Sequence, residues 1–302
     1  RASRHHGGGQ SCPATSFHFP CAMHRIASFR RIPAQQLSQL EERMQAYYAA
    51  VPDYPAFHAA SHHPLEWGHL LNEVRRRSVR RGGVAILEFG SGRSGFPTWL
   101  RQELAPDASA PLSITCQDVT ATNQAYLLEV ADHVLIAPLA EGVLPPGSFD
   151  LIFSTHCFEH VARPEALLRT CISLLKPGGA LLLFAPRYDF PFYLSPSSVN
   201  LSPMRRLLLA IRLLLIRCFT RLRGNPAFVI DTDPACLNRP FVRDADAIHW
   251  VSEHDVQLFA SRHGMRFSRL DVSHRAAPPS KQWFIDQFGK LAVCLQKPLQ
   301  SH

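Results

Sequence analysis

The sequence predicts a doubly wound α/β domain: a mostly parallel seven-stranded sheet with an N-terminal helical cap and an inserted helical lid. Three observations carry that expectation. Short apolar runs alternate with helical patterns from residue 84 to residue 184, the rhythm of strands covered on both faces by crossover helices. The first run closes on a glycine-rich turn, Glu88-Phe89-Gly90-Ser91-Gly92-Arg93-Ser94-Gly95, of the kind that opens a ligand crevice at the end of a strand. The rhythm then breaks over 188–245, where prolines 191, 196 and 203 introduce an arginine-studded apolar segment, and resumes afterwards.

Taken in order, residues 1–22 are rich in Gly, Ser and His without apolar periodicity and read as an unstructured leader. Met23 is the alternative natural start, and the acid-free stretch before Glu41 also fits a transit peptide. Residues 23–82 form the cap: a helix over 34–50 with Leu37, Leu40 and Met44 near helical spacing, and a second over 65–79. The arginines at 75, 76, 77, 80 and 81 precede Gly82-Gly83 and read as a solvated helix end favoured by the helix dipole.

The core spans 83–187. Strands are predicted over 84–89, 112–116, 133–137, 149–153 and 180–184, with helices over 97–104, 122–131 and 164–175, the last opening on Pro164. The insertion occupies 188–245. Residues 246–302 complete the sheet: Ser252 with Asp255 marks a helix start, Gly264 follows its last turn, and strands are expected over 265–272 and 291–296.

Composition bounds the function. A length of 302 residues allows one large domain or two small ones. Arg212 and Arg217 divide the most apolar stretch, short of the roughly 18 uninterrupted residues of a membrane span. Eight cysteines without a C-x-x-C pair read as structural thiols of a reducing, cytoplasmic compartment. The net charge of +8 raises nucleic acid, anionic membrane or anionic substrate as partners. No stacking-aromatic pattern accompanies the arginines, so no nucleic-acid partner is expected.

The turn is the first chemical signal. Glycines are needed where a tight turn brings backbone against a ligand, and Gly90, Gly92 and Gly95 match the G-x-G-x-x-G spacing. Asp118 closes the next strand, placed to accept hydrogen bonds from ribose hydroxyls. Both features fit more than one nucleotide cofactor, so an NAD(P)-dependent oxidoreductase stays open at this point.

The segment GSFDLIFSTHCFEHVARPEALLRTCISLLKPGGALLLFAP discriminates. A strand opening on Phe149-Asp150, a polar break at Ser154, a helix, the turn Leu175-Lys176-Pro177-Gly178-Gly179 and a further apolar strand resemble the Rossmann-like (class I) S-adenosylmethionine-dependent methyltransferases, specifically the small-molecule type 11 family. The resemblance covers about 84–186 and resumes at IHWVSEHDVQLFASRHGM.

It implies S-adenosyl-L-methionine as cofactor. Glu88 would orient the methionine amino group, Gly90 and Gly92 would admit methionine and ribose, and Asp118 would hold the ribose hydroxyls. Ser154 and Thr155 would line the methionine end. The acid that usually reads the adenine amine is missing from Ile136-Ala137-Pro138-Leu139-Ala140-Glu141, so backbone groups of Leu139 and Ala140, or a displaced Glu141, would take that role. The implied reaction is direct methyl transfer to a small-molecule acceptor, most often at oxygen, of lipid, glycan or quinone-precursor type. A non-catalytic binding protein of the same fold is the other alternative.

His156-Cys157-Phe158-Glu159-His160 matches the H-x-x-E-H zinc-protease pattern, whose chemistry needs both histidines on one helical face. Here the motif begins at a strand end, so Glu159 and His160 are expected to fix the loop and no metal is assigned. His156, at the methyl-donor end, and His249, beside Trp250 after the insertion, are the base candidates. In the insertion, Leu207, Leu208, Ile211, Leu214, Leu215, Cys218 and Phe219 gather on one helical face with arginines opposite. A lid packed on the domain is expected. Peripheral membrane contact through residues 204–223 is the alternative.

Overall fold

The computed structural model describes residues 26–50, 59–105, 111–190, 193–198, 201–238, 246–272 and 289–299; the expected leader, 1–22, and the alternative start at Met23 lie outside them. The chain runs through a short strand β1 (Ile26–Ser28), helices α1 (Ala34–Ala50) and α2 (Pro64–Arg81), β2 (Val84–Phe89), α3 (Phe96–Leu104) and β3 (Leu112–Asp118). It continues with α4 (Gln124–Val130), β4 (His133–Ile136), β5 (Phe149–Thr155), α5 (Pro164–Leu174) and β6 (Leu175–Pro186). The insertion supplies α6 (Pro203–Leu222) and β7 (Val229–Asp231); beyond its expected end come β8 (His249–Trp250), which pairs with β7 rather than with the main sheet, and then α7 (Glu253–Arg262), β9 (Arg266–Arg269) and β10 (Lys290–Gln296).

The main sheet has seven strands in the order β4-β3-β2-β5-β6-β10-β9, parallel from β4 to β6 with β10 antiparallel to both neighbours. Both faces are covered over the central strands, which is why β2, β5 and β6 carry long buried apolar runs, while the edge strands β4 and β9 are more exposed. One face (Ile86, Leu151, Phe153, Leu182, Phe184) packs under Trp67, Leu70 and Val74 of α2 and Phe96 and Leu100 of α3. The other (Leu87, Phe89, Ile152, Leu181, Leu183) packs under α5 and under Val256 and Phe259 of α7. The boundaries of α7 follow from local chemistry, since Ser252 Oγ accepts a hydrogen bond from Asp255 N–H at its N-cap.

A second, three-stranded sheet, β1-β7-β8, joins the N-terminal segment to the insertion. The apolar stripe Leu37, Leu40 and Met44 of α1 is buried against Ile230 and Ile248 of this unit. Thus α2 covers the main sheet, while α1 covers the insertion.

The Leu175–Gly179 segment departs from a simple turn. It enters β6 through a register irregularity opposite Phe149–Leu151. Gly178 is left-handed, with φ 73°. Lys176 Nζ donates to the fully buried Asp150 Oδ2 at 2.6 Å, and the same oxygen accepts from Ala85 N–H at 3.0 Å. The bulge also turns the Gly178 carbonyl toward α2, where Arg77 Nη1 donates to it at 2.9 Å. The arginine cluster is therefore not wholly solvated as expected: Arg77 is buried because a displaced strand carbonyl needs a donor.

Helix α6 forms where expected but docks by an unexpected side. Leu209, Ala210, Leu213 and Arg217 are its buried residues, packed with Tyr188, Val229 and Trp250. The Arg217 guanidinium is enclosed and donates to the carbonyls of Tyr188 and of Trp250, the latter at 2.9 Å. The apolar stripe read from the sequence faces outward.

Candidate functional site

Strand order reverses between β2 and β5, so the crevice beyond their carboxyl ends is the ligand position of an open α/β sheet. The turn after β2 needs its glycines: Gly90 and Gly92 have φ 64° and 54°. A Cβ on Gly90 would fall 2.6 Å from Cys157 Cβ and closer still to its Sγ, whereas a Cβ on Gly92 would meet nothing within 4 Å. Gly90 is thus demanded by packing, and the open side is at Gly92.

Asp118, at the end of β3, holds this turn. Its Oδ2 accepts from Gly92 N–H at 2.7 Å, and its Oδ1 accepts from Thr120 N–H and Oγ1 at 2.9 and 3.2 Å. Gln117, absent from the sequence reading, supports the same turn from inside. Its Oε1 accepts from Gly90 N–H at 3.2 Å, and its Nε2 donates to Ala137 O at 2.6 Å, tying the turn to the end of β4. A polar residue buried near the end of a two-sided strand was the available signal.

Glu88 is buried next to the turn with the Ser94 hydroxyl and the Cys116 thiol as its hydrogen-bonding neighbours. Among the described residues no cation pairs with it. Burial pushes its carboxyl up to about 8, opposed by those hydrogen bonds and reinforced by Asp118. At the tip of β5, the hydroxyl of Thr155 is enclosed and has no hydrogen-bond partner among the described residues, while that of Ser154 has the Cys157 thiol beside it. Past β4, Leu139 packs against the core beside Leu144, and Ala140 is exposed.

A segment outside the motifs completes the cleft. Ser61 N–H donates to Arg93 O at 2.8 Å and Gly95 N–H donates to Ser61 O at 3.2 Å, so residues 59–63 lie across the glycine turn. A side chain at Gly95 would collide with Ser61 O. This crossing sets the His63 ring 5.1 Å from that of His156.

His156 sits just past β5 with φ 53°, a strained conformation for a residue with a side chain. Its N–H is held by Phe184 O at 2.8 Å, while half of its side chain stays open and Nδ1 lies 3.9 Å from Glu159 Oε1. Loss of hydration against the cleft wall, with positive charge possible at His63, His160 and Lys290, pushes its pKa down to about 4.

His249 is placed differently from the expectation. It is fully buried between Phe158 and Phe228, its Nδ1 meets Phe158 O at 3.0 Å, and burial pushes its pKa down to about 3. A base must reach the acceptor; this ring reaches no solvent and positions the 156–160 loop instead. Trp250 likewise is buried in the core beneath α6, with Tyr188, Leu209 and Val229, rather than along the cleft.

Residues 158–160 form a single 3₁₀ turn, which does not supply the helical face of a zinc protease. His160 Nδ1 meets Asp246 O at 3.1 Å, and Tyr48 Oη donates to Asp246 Oδ2 at 2.9 Å, linking this loop to α1 and the insertion. No His, Cys, Asp and Glu group able to hold a metal occurs among the described residues.

The fold and crevice define a Rossmann-like nucleotide-cofactor enzyme. The family model described as "Methyltransferase domain" matches residues 59–265, more than half of the chain. The chain belongs to that family, the S-adenosylmethionine-dependent class that its motifs resemble.

A ubiquinone biosynthesis O-methyltransferase of Xanthomonas euvesicatoria is 55% identical over 38 residues, 13% of this chain and 16% of that protein. One of Caulobacter sp. is 28% identical over 134 residues, 38% of this chain and 52% of the relative. This chain thus covers between about a sixth and about half of these relatives. Among solved structures, the 1,6-didemethyltoxoflavin-N1-methyltransferase of Burkholderia thailandensis, with 1,6-didemethyltoxoflavin and S-adenosylhomocysteine bound, is 13% identical. It covers 93% of this chain and 98% of its own at a TM-score of 0.48. A Mesorhizobium loti S-adenosylmethionine-dependent methyltransferase is 18% identical over 77% of this chain and 98% of its own, at 0.48.

The residues present fit the donor. A carboxyl enclosed without a cation among the described residues suits an ammonium, the hydroxyls of Ser154 and Thr155 have acceptor capacity in hand, and Asp118 Oδ2, which accepts one hydrogen bond, keeps a second lone pair for a hydroxyl.

Proposed function

We propose that this protein transfers the methyl group of S-adenosylmethionine to an oxygen of a small-molecule acceptor. The observation that carries the reading is the buried carboxyl of Glu88, without a cation among the described residues, next to a turn that is open at Gly92, a pairing that suits the amino-acid end of the donor. In this reading Glu88 receives the ammonium, Asp118 the ribose hydroxyls, and Ser154 and Thr155 the methionine end. The Gly92 backbone gives the close approach, Gly90 fixes the turn, and the segment through Leu139 and Ala140 borders the adenine. The donor supplies an electrophilic methyl group, so the protein's work is alignment and proton removal.

His156 is the base in this reading. Its ring is open to the cleft and neutral across physiological pH, and loss of the acceptor proton to it leaves an imidazolium 3.9 Å from Glu159. The names of the ubiquinone-pathway relatives favour oxygen as the methylated atom. The described cysteines are all free thiols, which suits a reducing compartment such as the cytoplasm.

Calorimetric titration with S-adenosylhomocysteine and with NAD tests the donor assignment. Heat of binding from the first and none from the second is expected; the reverse pattern would refute it. A panel of phenolic and carboxylic acceptors with methyl-labelled donor then tests the reaction, and label found only on nitrogen or carbon would refute oxygen as the target.

A further inference from the structure

The side of α6 turned away from the protein is apolar. Leu207, Leu208, Ile211, Leu214, Leu215 and Phe219 are each between 42% and 59% exposed, and Met204 and Leu222 extend the strip to both ends. At about 100° per residue these side chains fill an arc of about 140°. That arc is centred opposite the one that holds Leu209, Leu213 and Arg217 against the domain. A strip of this length, continuous over five turns, is more than the scattered apolar exposure of an ordinary surface.

Charge borders the strip. Arg205, Arg212 and Arg223 are exposed along one edge, and Arg221, tied to Asp189 at 3.2 Å, stands at the other. The sequence has no Asp or Glu from residue 190 to residue 230. A second copy seated face to face would bring two arginine edges together with no acid on the helix itself to compensate them. An interface of anionic headgroups over acyl chains suits both features, because arginine stems lie along apolar surface while their heads reach phosphate. The helix lies along such a surface rather than through it: none among the described residues is long and apolar enough to cross a membrane.

We propose that the outer face of α6 docks this protein onto the surface of a bilayer containing anionic lipid. Arg217 is the structural half of the device. Its buried guanidinium binds two carbonyls, keeping the helix on the domain with its apolar side outward. The remaining arginines supply the electrostatic half, so docking is reversible and sensitive to salt.

Flotation of the full chain with phosphatidylcholine vesicles, with and without phosphatidylglycerol, tests the proposal and needs neither donor nor acceptor, so it stands apart from the catalytic reading. Flotation is expected with phosphatidylglycerol at low salt and is lost at high salt. Replacing Arg205, Arg212 and Arg223 by Gln should weaken partitioning about a hundredfold, and Leu208→Gln with Leu215→Gln and Phe219→Gln should abolish it. Arg217 is left intact because its loss would unseat the helix. Unchanged thermal unfolding of the variants shows that they are folded.

Cys218, an exposed thiol on the same arc, takes an environment-sensitive fluorophore in a chain with Cys12 and Cys21 changed to Ser. Its emission should shift to the blue on anionic vesicles. Wild-type protein that ignores anionic vesicles at low salt would overturn the proposal. So would a dimer by light scattering that the leucine and phenylalanine variants dissolve, since the face would then belong to a second copy.

Discussion

Donor binding should be coupled to the release of a proton from Glu88. Without ligand, burial holds this carboxyl at about 8 against an ordinary value of 4.5, so at pH 7 about nine-tenths of molecules carry the proton. If Glu88 receives the donor's ammonium, as proposed, the bound state favours the carboxylate and only the ionised fraction binds. The apparent affinity falls in proportion to that fraction. Between pH 7 and pH 6 the fraction drops about tenfold, and the dissociation constant should rise about tenfold with it; in this window the ligand ammonium is itself charged throughout.

Calorimetry with S-adenosylhomocysteine in two buffers of different ionisation enthalpy measures the release directly, and about 0.9 proton per site is expected at pH 7. In Glu88→Gln the pH dependence should vanish, and wild type and variant should converge as the pH falls. An affinity flat from pH 6 to 7, with no dependence on buffer, would show that Glu88 does not receive the ammonium.

The same group bears on stability with the opposite sign. Its folded pKa lies above the unfolded one, so the ligand-free protein is favoured below about pH 4.5 and loses that contribution as the pH rises toward 8. By pH 7 the difference amounts to about 3 kcal/mol. Glu88→Gln should therefore raise the unfolding temperature of the ligand-free protein at pH 8 and change it little at pH 5.

If His156 is the base, as proposed, kcat at saturating donor should stay flat from pH 6 to 8 with its acid limb near 4; a limb near 6.5 would assign the base elsewhere. His156→Gln should lower kcat by about a hundredfold or more without altering donor affinity by calorimetry. Asp150→Ala should cost about 3 kcal/mol in urea unfolding by stranding Lys176 and the Ala85 N–H, yet leave the donor dissociation constant unchanged, since these groups lie at the far end of the strands. Gly90→Ala should destabilise by about 1–3 kcal/mol through contact with Cys157 and its positive φ, and Cys157→Ala should restore part of that loss.

What could be read from the sequence was local. Strand β2, its glycine turn and the helices over 34–50 and 164–174 follow from periodicity and caps within a few residues of each other. The three-residue strands β1 and β7 pair Ile26 with Asp231, across some 200 residues, and runs so short leave no pattern. His63 was missed for the same reason: it reaches His156 through the backbone contacts of Ser61 with Arg93 and Gly95, which any residue could make. Spacing showed that α6 has two unlike faces but not which of them meets the protein. A buried Arg217 decided it, and a cation enclosed by carbonyls has the same sequence signature as one in water.

The most recognisable residues of the chain are also the ones farthest from its chemistry. Lys176, Asp150 and the Gly178 carbonyl are mutually satisfied with Ala85 and Arg77 at the amino ends of the parallel strands, where a bulge must be held in register. At the carboxyl ends the groups are left wanting: Glu88 has no cation among the described residues, and the enclosed hydroxyl of Thr155 has no partner. Enclosed polar groups without partners destabilise the ligand-free fold, so the first end must be over-determined for the second to persist. The signature residues and the proposed donor site are thus two ends of one sheet, one fixing the strands and the other holding the enclosed polar groups that the proposed donor would satisfy.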